Sequence, residues 1–158
     1  MRELILLRHA HAEPVAPGQS DTDRPLSSEG LAEAEAAGRW LAEQGLVPDR
    51  VLCSPARRTR ETLEAVLAKI GYVDQRLDDA IYDASAGTLA EIADGHREAE
   101  RLLLVGHNPG IEHLAALMHS GQSGDFRGMP PGGIAVLSLP ANAAIEPGIA
   151  TLSAFWWP

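Results

Sequence analysis

The chain has almost no cysteine. Cys53 is the only one among 158 residues, which excludes an internal disulfide framework and a multi-cysteine zinc site. It sits in the apolar run VLCS, where a small core residue fits. Long hydrophobic runs are lacking too. The N-terminal MRELILLRHA carries an arginine, but its apolar stretch is too short for a signal peptide or a membrane span, so a cytoplasmic location is expected. Positive charge is scarce: 13 Lys and Arg stand against 22 Asp and Glu, a net charge of −9. That balance argues against nucleic acid or an anionic membrane as partner. An acidic chain that still binds an anion must gather its few cations in one place. There is no repeat, no low-complexity tract and no linker long enough to divide the chain, so residues 1–158 are read as one domain. With 45% hydrophobic and 22% charged residues, the composition is that of an ordinary globular chain able to bury a core.

What is present alternates between two patterns. LILL (4–7), RVLC (50–53) and LLLVG (102–106) are short continuous apolar runs, as expected of strands buried on both faces. IAVLSL (134–139) and IATLSAFWW (149–157) read as the final strands. Ser27 is placed to cap a helix running to Gln44, with Leu31, Ala34, Gly38 and Leu41 near one face and Gly45 as its stop. Ser54-Pro55 reads as an N-cap followed by proline at the first helical position. The helix it opens carries Leu63, Val66, Leu67 and Ile70, and Gly71 ends it. Thr88 and Glu91 form a T-x-x-E capping box for a short helix. Asn108-Pro109 repeats the cap-plus-proline pattern ahead of Ile111, Leu114, Leu117 and Met118. Residues 12–25, 72–87 and 121–133 read as irregular. Strands alternating with helices imply a three-layer α/β/α sandwich around a largely parallel sheet.

In such sheets ligands bind beyond the carboxyl ends of the strands. Three strand ends here carry polar clusters: Arg8, His9 and His11; Ser54-Pro55 leading to Arg57, Arg58 and Arg60; and His107 with Asn108. Each lies at or near a helix start, where free backbone N–H groups favour anions. Arginines in a first helical turn oppose the macrodipole at about 0.3–1 kcal/mol per charge, and a bound dianion reverses the sign. Arg57 and Arg60 read as solvent-facing partners of Glu61 or Glu64, which leaves Arg58 as the anion ligand. His9 has three readings: metal ligand, nucleophile or loop residue. The HAH spacing suits zinc. However, the chain is short for a metal-dependent barrel, no carboxylate-rich ligand set follows, and Arg8 disfavours a second cation beside it. A neutral imidazole held by a carbonyl is a competent nucleophile toward phosphorus. His11 reads as a loop residue, His113 as facing away from the site, His96 and His119 as surface residues. One of Trp156 and Trp157 is expected in the core and the other over an edge or a partner surface.

Four ordered segments then carry a resemblance. LRHAHAE resembles the RHG signature of the histidine phosphatase superfamily, with Ala10 in place of glycine. DRPLSSEG (23–30) is similar to its RPLT-x-x-G segment, SPARRTRET (54–62) to its SP-x-x-R-x-x-x-T segment, and VGHNPG (105–110) to its GH motif. The short length without an inserted cap resembles the SixA-type phosphohistidine phosphatase branch. The resemblance implies a phosphoglycerate mutase-like fold and a hydrolase that needs no cofactor. It implies His9 as the nucleophile that becomes a phosphohistidine, with Arg8, Arg58 and His107 binding the phosphoryl oxygens. Arg24 and Asn108 become substrate contacts. Ala10 removes no catalytic group but could alter how the imidazole is oriented.

An alkoxide leaving group needs a proton. RLDDAIYDAS (76–85) offers Asp78, Asp79 and Asp83, none in a clear acid motif, and whether Asp79 or Asp83 is a general acid stays open. Imidazole, with a conjugate-acid pKa of roughly 6.5, needs less help, which favours a phosphohistidine on a protein as substrate. The alternatives are a small phosphate ester hydrolysed in the same way, phosphomutase activity, and a phosphate-binding module without catalysis.

Overall fold

A computed structural model describes residues 1–125 and 128–158. The apolar runs become strands because both of their faces find cover. Along β1 (Glu3–Arg8), Leu4 and Leu6 point to one side and Ile5 and Leu7 to the other, and all four are fully buried. Ile5 and Leu7 join Val51, Cys53, Leu103 and Val105 under two helices, α1 (Ser28–Glu43) and α2 (Arg57–Ile70). Leu4 and Leu6 join Leu52, Leu102 and Leu104 under α3 (Ala86–Asp94) and α4 (Gly110–Ser120). The expected three layers are therefore present. The six strands, with β2 (Arg50–Cys53), β3 (Asp74–Leu77), β4 (Arg101–Gly106), β5 (Ile134–Ser138) and β6 (Thr151–Trp156), lie in the order β3-β2-β4-β1-β5-β6. β1, β2, β3 and β4 pair in parallel, β5 runs antiparallel to β1, and β6 antiparallel to β5.

Several local expectations are corrected. The stretch 72–87 contains the edge strand β3, whose residues Asp74-Gln75-Arg76-Leu77 are all exposed. A strand without a buried face leaves no apolar period to read. Ser54 does not cap α2; the helix opens after Ala56, with no side-chain cap. α3 opens one turn earlier than the Thr88–Glu91 pair suggests, because the Ser85 side chain accepts from Thr88 N–H. α4 begins at Gly110 after Pro109, although Asn108 still serves it, its Oδ1 accepting from Glu112 N–H at 3.2 Å. Leu31, expected on the buried face of α1, is 48% exposed. It lies in the first turn, beside a groove shared with Glu61 and Ala65, while Ala34, Ala37, Gly38 and Leu41 make the buried stripe. Residues 126 and 127 of the irregular stretch 121–133 lie outside the described residues.

The other boundaries agree with the sequence. The Ser27 side chain caps α1 by accepting from Gly30 N–H at 3.0 Å. Gly45 follows α1 in a left-handed conformation, φ 67°. Gly30 has a second task, because a Cβ there would run into the His11 carbonyl. Glycine lets the loop after β1 lie directly on the start of α1. Gly30→Ala is expected to destabilise the fold by about 1–3 kcal/mol in urea unfolding, since the obstacle is backbone.

Candidate active site

Strand pairing brings the two histidines together. Arg8 of β1 is in register with Gly106 of β4, so His9 and His107 leave the sheet side by side. His9 N–H donates to the Gly106 carbonyl at 3.0 Å, and the two rings stand 5.2 Å apart. β2 lies on the other side of β4, and Ser54 N–H donates to the Val105 carbonyl at 3.1 Å. Ser54 thus reaches His107, Oγ to Nε2 at 2.7 Å. α2 then begins and delivers Arg58, which is only 6% exposed.

The His9 Nδ1 lies 2.7 Å from the carbonyl oxygen of Ala10. A carbonyl can only accept, so Nδ1 carries the proton and the Nε2 lone pair is free. Burial is the largest influence on this ring and pushes its pKa down to about 3; the Ala10 bond opposes the shift, and His107, Arg58 and Arg8 add to it. His107 is pushed down to about 4, by burial first and then by Arg58, with Asp21 opposing. The methyl of Ala10 packs with Ala34, Ala65 and Leu26. Its N–H donates to Thr62 Oγ1 at 3.1 Å, and Thr62 in turn donates to the Arg58 carbonyl at 2.8 Å. Alanine at this position therefore holds the imidazole through its own backbone.

Three buried side-chain nitrogens around these rings have no protein partner: Nε of Arg8, Nε of Arg58 and Nδ1 of His107. The remaining nitrogens of the two arginines are partly anchored. Arg8 Nη1 donates to the Met129 carbonyl at 2.6 Å. Arg58 donates to the Asp21 carbonyl at 2.8 Å and to the Asp21 carboxylate at 3.0 Å. Two guanidinium groups and two neutral imidazoles form a local positive site in an acidic protein.

Asp21 and Tyr82 were not singled out by the sequence. Both lie in stretches without periodicity, and only the fold joins them. The Tyr82 hydroxyl donates to the Asp21 carboxylate at 2.5 Å, and the Tyr82 ring stands edge-on to His107 at 5.4 Å. The Tyr82 bond, followed by those of Arg24 and Arg58, holds the Asp21 carboxyl well below the usual carboxylate range. Asp21 is thus an ionised counter-charge on the outer side of Arg58.

The other sequence candidates fall around this centre. Arg24 donates to the Glu13 carbonyl and to Asp21, so it fastens the loop and meets the site through Asp21. Asn108 shares the Met129 carbonyl with Arg8 and also donates to Glu112. Arg57 pairs with Glu61 as expected, whereas Arg60 donates to the Pro55 carbonyl. His11 is a loop residue, its Nδ1 2.7 Å from Ser27 Oγ. His113, expected to face elsewhere, lines a cleft of about 460 Å³ with His107, Asn108 and Asp83. Residues 107–109 precede the helix, so helical spacing does not set the angle between His107 and His113. Asp79 is exposed on a 3-10 turn, Asp79–Ile81. A larger cleft of about 990 Å³ opens from Arg8 and Asn108 along Met129, Leu152, Phe155 and Trp157. Trp156 and Trp40, both half-buried, stack on each other against the core, and Trp157 is 55% exposed. Among the described residues no group of three or more His, Cys, Asp or Glu is arranged to hold a metal ion, and no helix is long and apolar enough to cross a membrane.

This architecture has known counterparts. The model of the histidine phosphatase superfamily (branch 1) matches residues 4–101, so the chain belongs to that superfamily. A solved protein assigned as the phosphohistidine phosphatase SixA of Agrobacterium tumefaciens has a TM-score of 0.86 at 32% identity, covering 99% of this chain and 98% of that one. Another, from Nakamurella multipartitia, has a TM-score of 0.87 at 31% identity, covering 99% and 96%. An uncharacterized protein of Mycobacterium tuberculosis is 37% identical over 159 residues, covering 94% of this chain and 98% of that protein. The α/β fold is of the phosphoglycerate mutase-like kind.

The depressed imidazoles couple stability to pH. In the fold His9 and His107 take up protons only near pH 3 and 4, against an ordinary value of 6.5. Below 6.5 the unfolded chain therefore binds more protons, and stability falls as pH drops toward 4, by roughly 1.4 kcal/mol per pH unit per histidine. Urea unfolding between about pH 7 and pH 5 measures this slope. His9→Gln is expected to remove one histidine's share of it, and an unaltered slope would mean that His9 is not held neutral.

Proposed function

We propose that this protein is a phosphatase that hydrolyses its substrate through a covalent phosphohistidine on His9, and that the substrate is a phosphohistidine on another protein. One observation carries the reading. A nitrogen with a free lone pair, His9 Nε2, lies near three buried side-chain nitrogens without a protein partner, Nε of Arg8, Nε of Arg58 and Nδ1 of His107. An unsatisfied buried polar group costs on the order of 1–3 kcal/mol, and a phosphoryl group's oxygens would satisfy the N–H groups among them.

The chemistry follows from the donor set. His9 Nε2 attacks phosphorus and the bond to the leaving group breaks. Arg8, Arg58 and His107 hold the equatorial oxygens and stabilise the charge of the transition state. Water then attacks the phosphorus of phospho-His9, giving inorganic phosphate and restoring the free imidazole. Asp21 keeps Arg58 aimed and remains ionised.

The leaving group is where substrate class enters. At neutral pH neither imidazole nor Asp21 holds a proton suited to donation to an alkoxide. A phosphohistidine protonated on its second ring nitrogen releases neutral imidazole, whose conjugate acid has a pKa of about 6.5, so the P–N bond breaks without a general acid from the protein. The SixA-assigned relatives support the same choice. A second reading, a small phosphate monoester, rests on Asp83, which lines the cleft beside His107.

A turnover screen of phosphohistidine proteins against phosphate monoesters decides between them. His9→Ala is expected to lose at least about a thousandfold in activity. Alkali-quenched wild type is expected to retain a phosphoryl label that acid quenching removes. Full activity in His9→Ala would defeat the mechanism. Vanadate binding without turnover on any substrate would make the protein a phosphate-binding module. Arg58→Ala is expected to cost about 10²–10³ in kcat, as loss of a transition-state donor does. Asp83→Asn separates the substrate readings: phosphohistidine turnover persists on the first, whereas monoester turnover collapses on the second.

A further inference from the structure

Ser54 is fully buried just past the end of β2, and its hydroxyl has two hydrogen-bond contacts among the described residues. Oγ accepts from Ala56 N–H at 3.3 Å and lies 2.7 Å from His107 Nε2. The Thr59 hydroxyl goes to the Ser54 carbonyl and not to its side chain. A neutral imidazole has one N–H and one bare nitrogen, so the 2.7 Å contact has two arrangements. If Nε2–H donated to Oγ, the Ser54 proton would be buried without an acceptor, and a bare Nδ1 would be buried as well. If Oγ–H donates to Nε2, every Ser54 side-chain group is satisfied and Nδ1 carries the ring proton. That leaves Nδ1–H as a buried donor with no protein acceptor. Such a donor belongs where an anionic oxygen will sit.

We infer that Ser54 is a positioning residue, its hydroxyl fixing His107 in the Nδ1–H tautomer so that the neutral ring presents an N–H to the phosphoryl group. The two histidines then use the same tautomer for opposite tasks. At His9 the Ala10 carbonyl takes Nδ1–H and leaves Nε2 bare as nucleophile. At His107 the Ser54 hydroxyl occupies Nε2 and leaves Nδ1–H as donor. Without the hydroxyl, the Nε2–H form becomes accessible and turns a lone pair toward the phosphoryl oxygens.

The activity arm of this inference rests on the phosphatase reading; the tautomer arm does not. The groups facing His107 are His9 from the end of β1, Arg58 from α2, Tyr82 with Asp21 beyond its hydroxyl, and Asp83 and His113 across the cleft. Long-range ¹⁵N–¹H correlation on histidine-labelled protein at neutral pH reads the tautomer. Wild type is expected to show a protonated-type Nδ1 and a bare-type Nε2 at His107, and the reverse assignment overturns the inference. Ser54→Ala is expected to mix the two forms and to lower kcat on the order of 10–100-fold. Its deficit should shrink as pH falls toward the ionisation of His107, because the imidazolium carries N–H on both nitrogens regardless of Ser54. Ser54→Thr, which keeps the hydroxyl, should retain the wild-type tautomer. A pH-independent deficit in folded Ser54→Ala, with the tautomer unchanged, would make Ser54 merely structural. If no phosphate compound is turned over at all, the phosphatase reading fails while the nitrogen assignment still decides the tautomer.

Discussion

The parallel pairing of β1 with β4 is the constraint on which the site depends. Every residue of β1 is matched in turn, from Glu3 opposite Arg101 to Arg8 opposite Gly106. The pairing ends level, so two histidines far apart in the chain emerge as neighbours. Slipping the register by one residue would turn Leu4 and Leu6 toward the α1–α2 side and Ile5 and Leu7 toward α3–α4. Both core layers forbid that, so the apolar core enforces the geometry of the polar end.

A second constraint is the accounting of hydrogen bonds. Arg58 is nearly buried and needs a counter-charge. Asp21 supplies it from the outer side, itself held by Tyr82 and Arg24. Arg8 is anchored by the Met129 carbonyl. Each anchor uses the distal nitrogens and leaves Nε free. The arrangement stores unsatisfied donors in a region where desolvation strengthens each interaction with an anion. It also suits an acidic protein to the phosphoryl substrate proposed for it: Arg8 and Arg58 are gathered beside the two histidines.

Burial serves the proposed nucleophile as well. Removing the His9 ring from water, beside two arginines, keeps it neutral across the physiological range. A protonated imidazole could not attack phosphorus. The same burial makes the fold sensitive to acid, so the property that readies the nucleophile also weakens the folded state at low pH.

Much of this was legible in the chain itself. Continuous apolar runs such as LILL and LLLVG report strands covered on both faces, and their polar ends carry Arg8, His9, Arg58 and His107. Local pattern encodes these because burial and capping act over a few residues. The edge strand Asp74–Leu77 escaped because no face of it is buried. Asp21, Tyr82 and the contact of Ser54 with His107 escaped for another reason. Each acquires its partner only across the fold, Asp21 from α2 and the 3-10 turn before Tyr82, and Ser54 from β4. Sequence alone determined which strands are buried and which imidazoles and cations stand at their ends. Tertiary structure alone decided which nitrogens are anchored and which are left for an anion, because hydrogen-bond satisfaction depends on neighbours that the chain brings together from far apart.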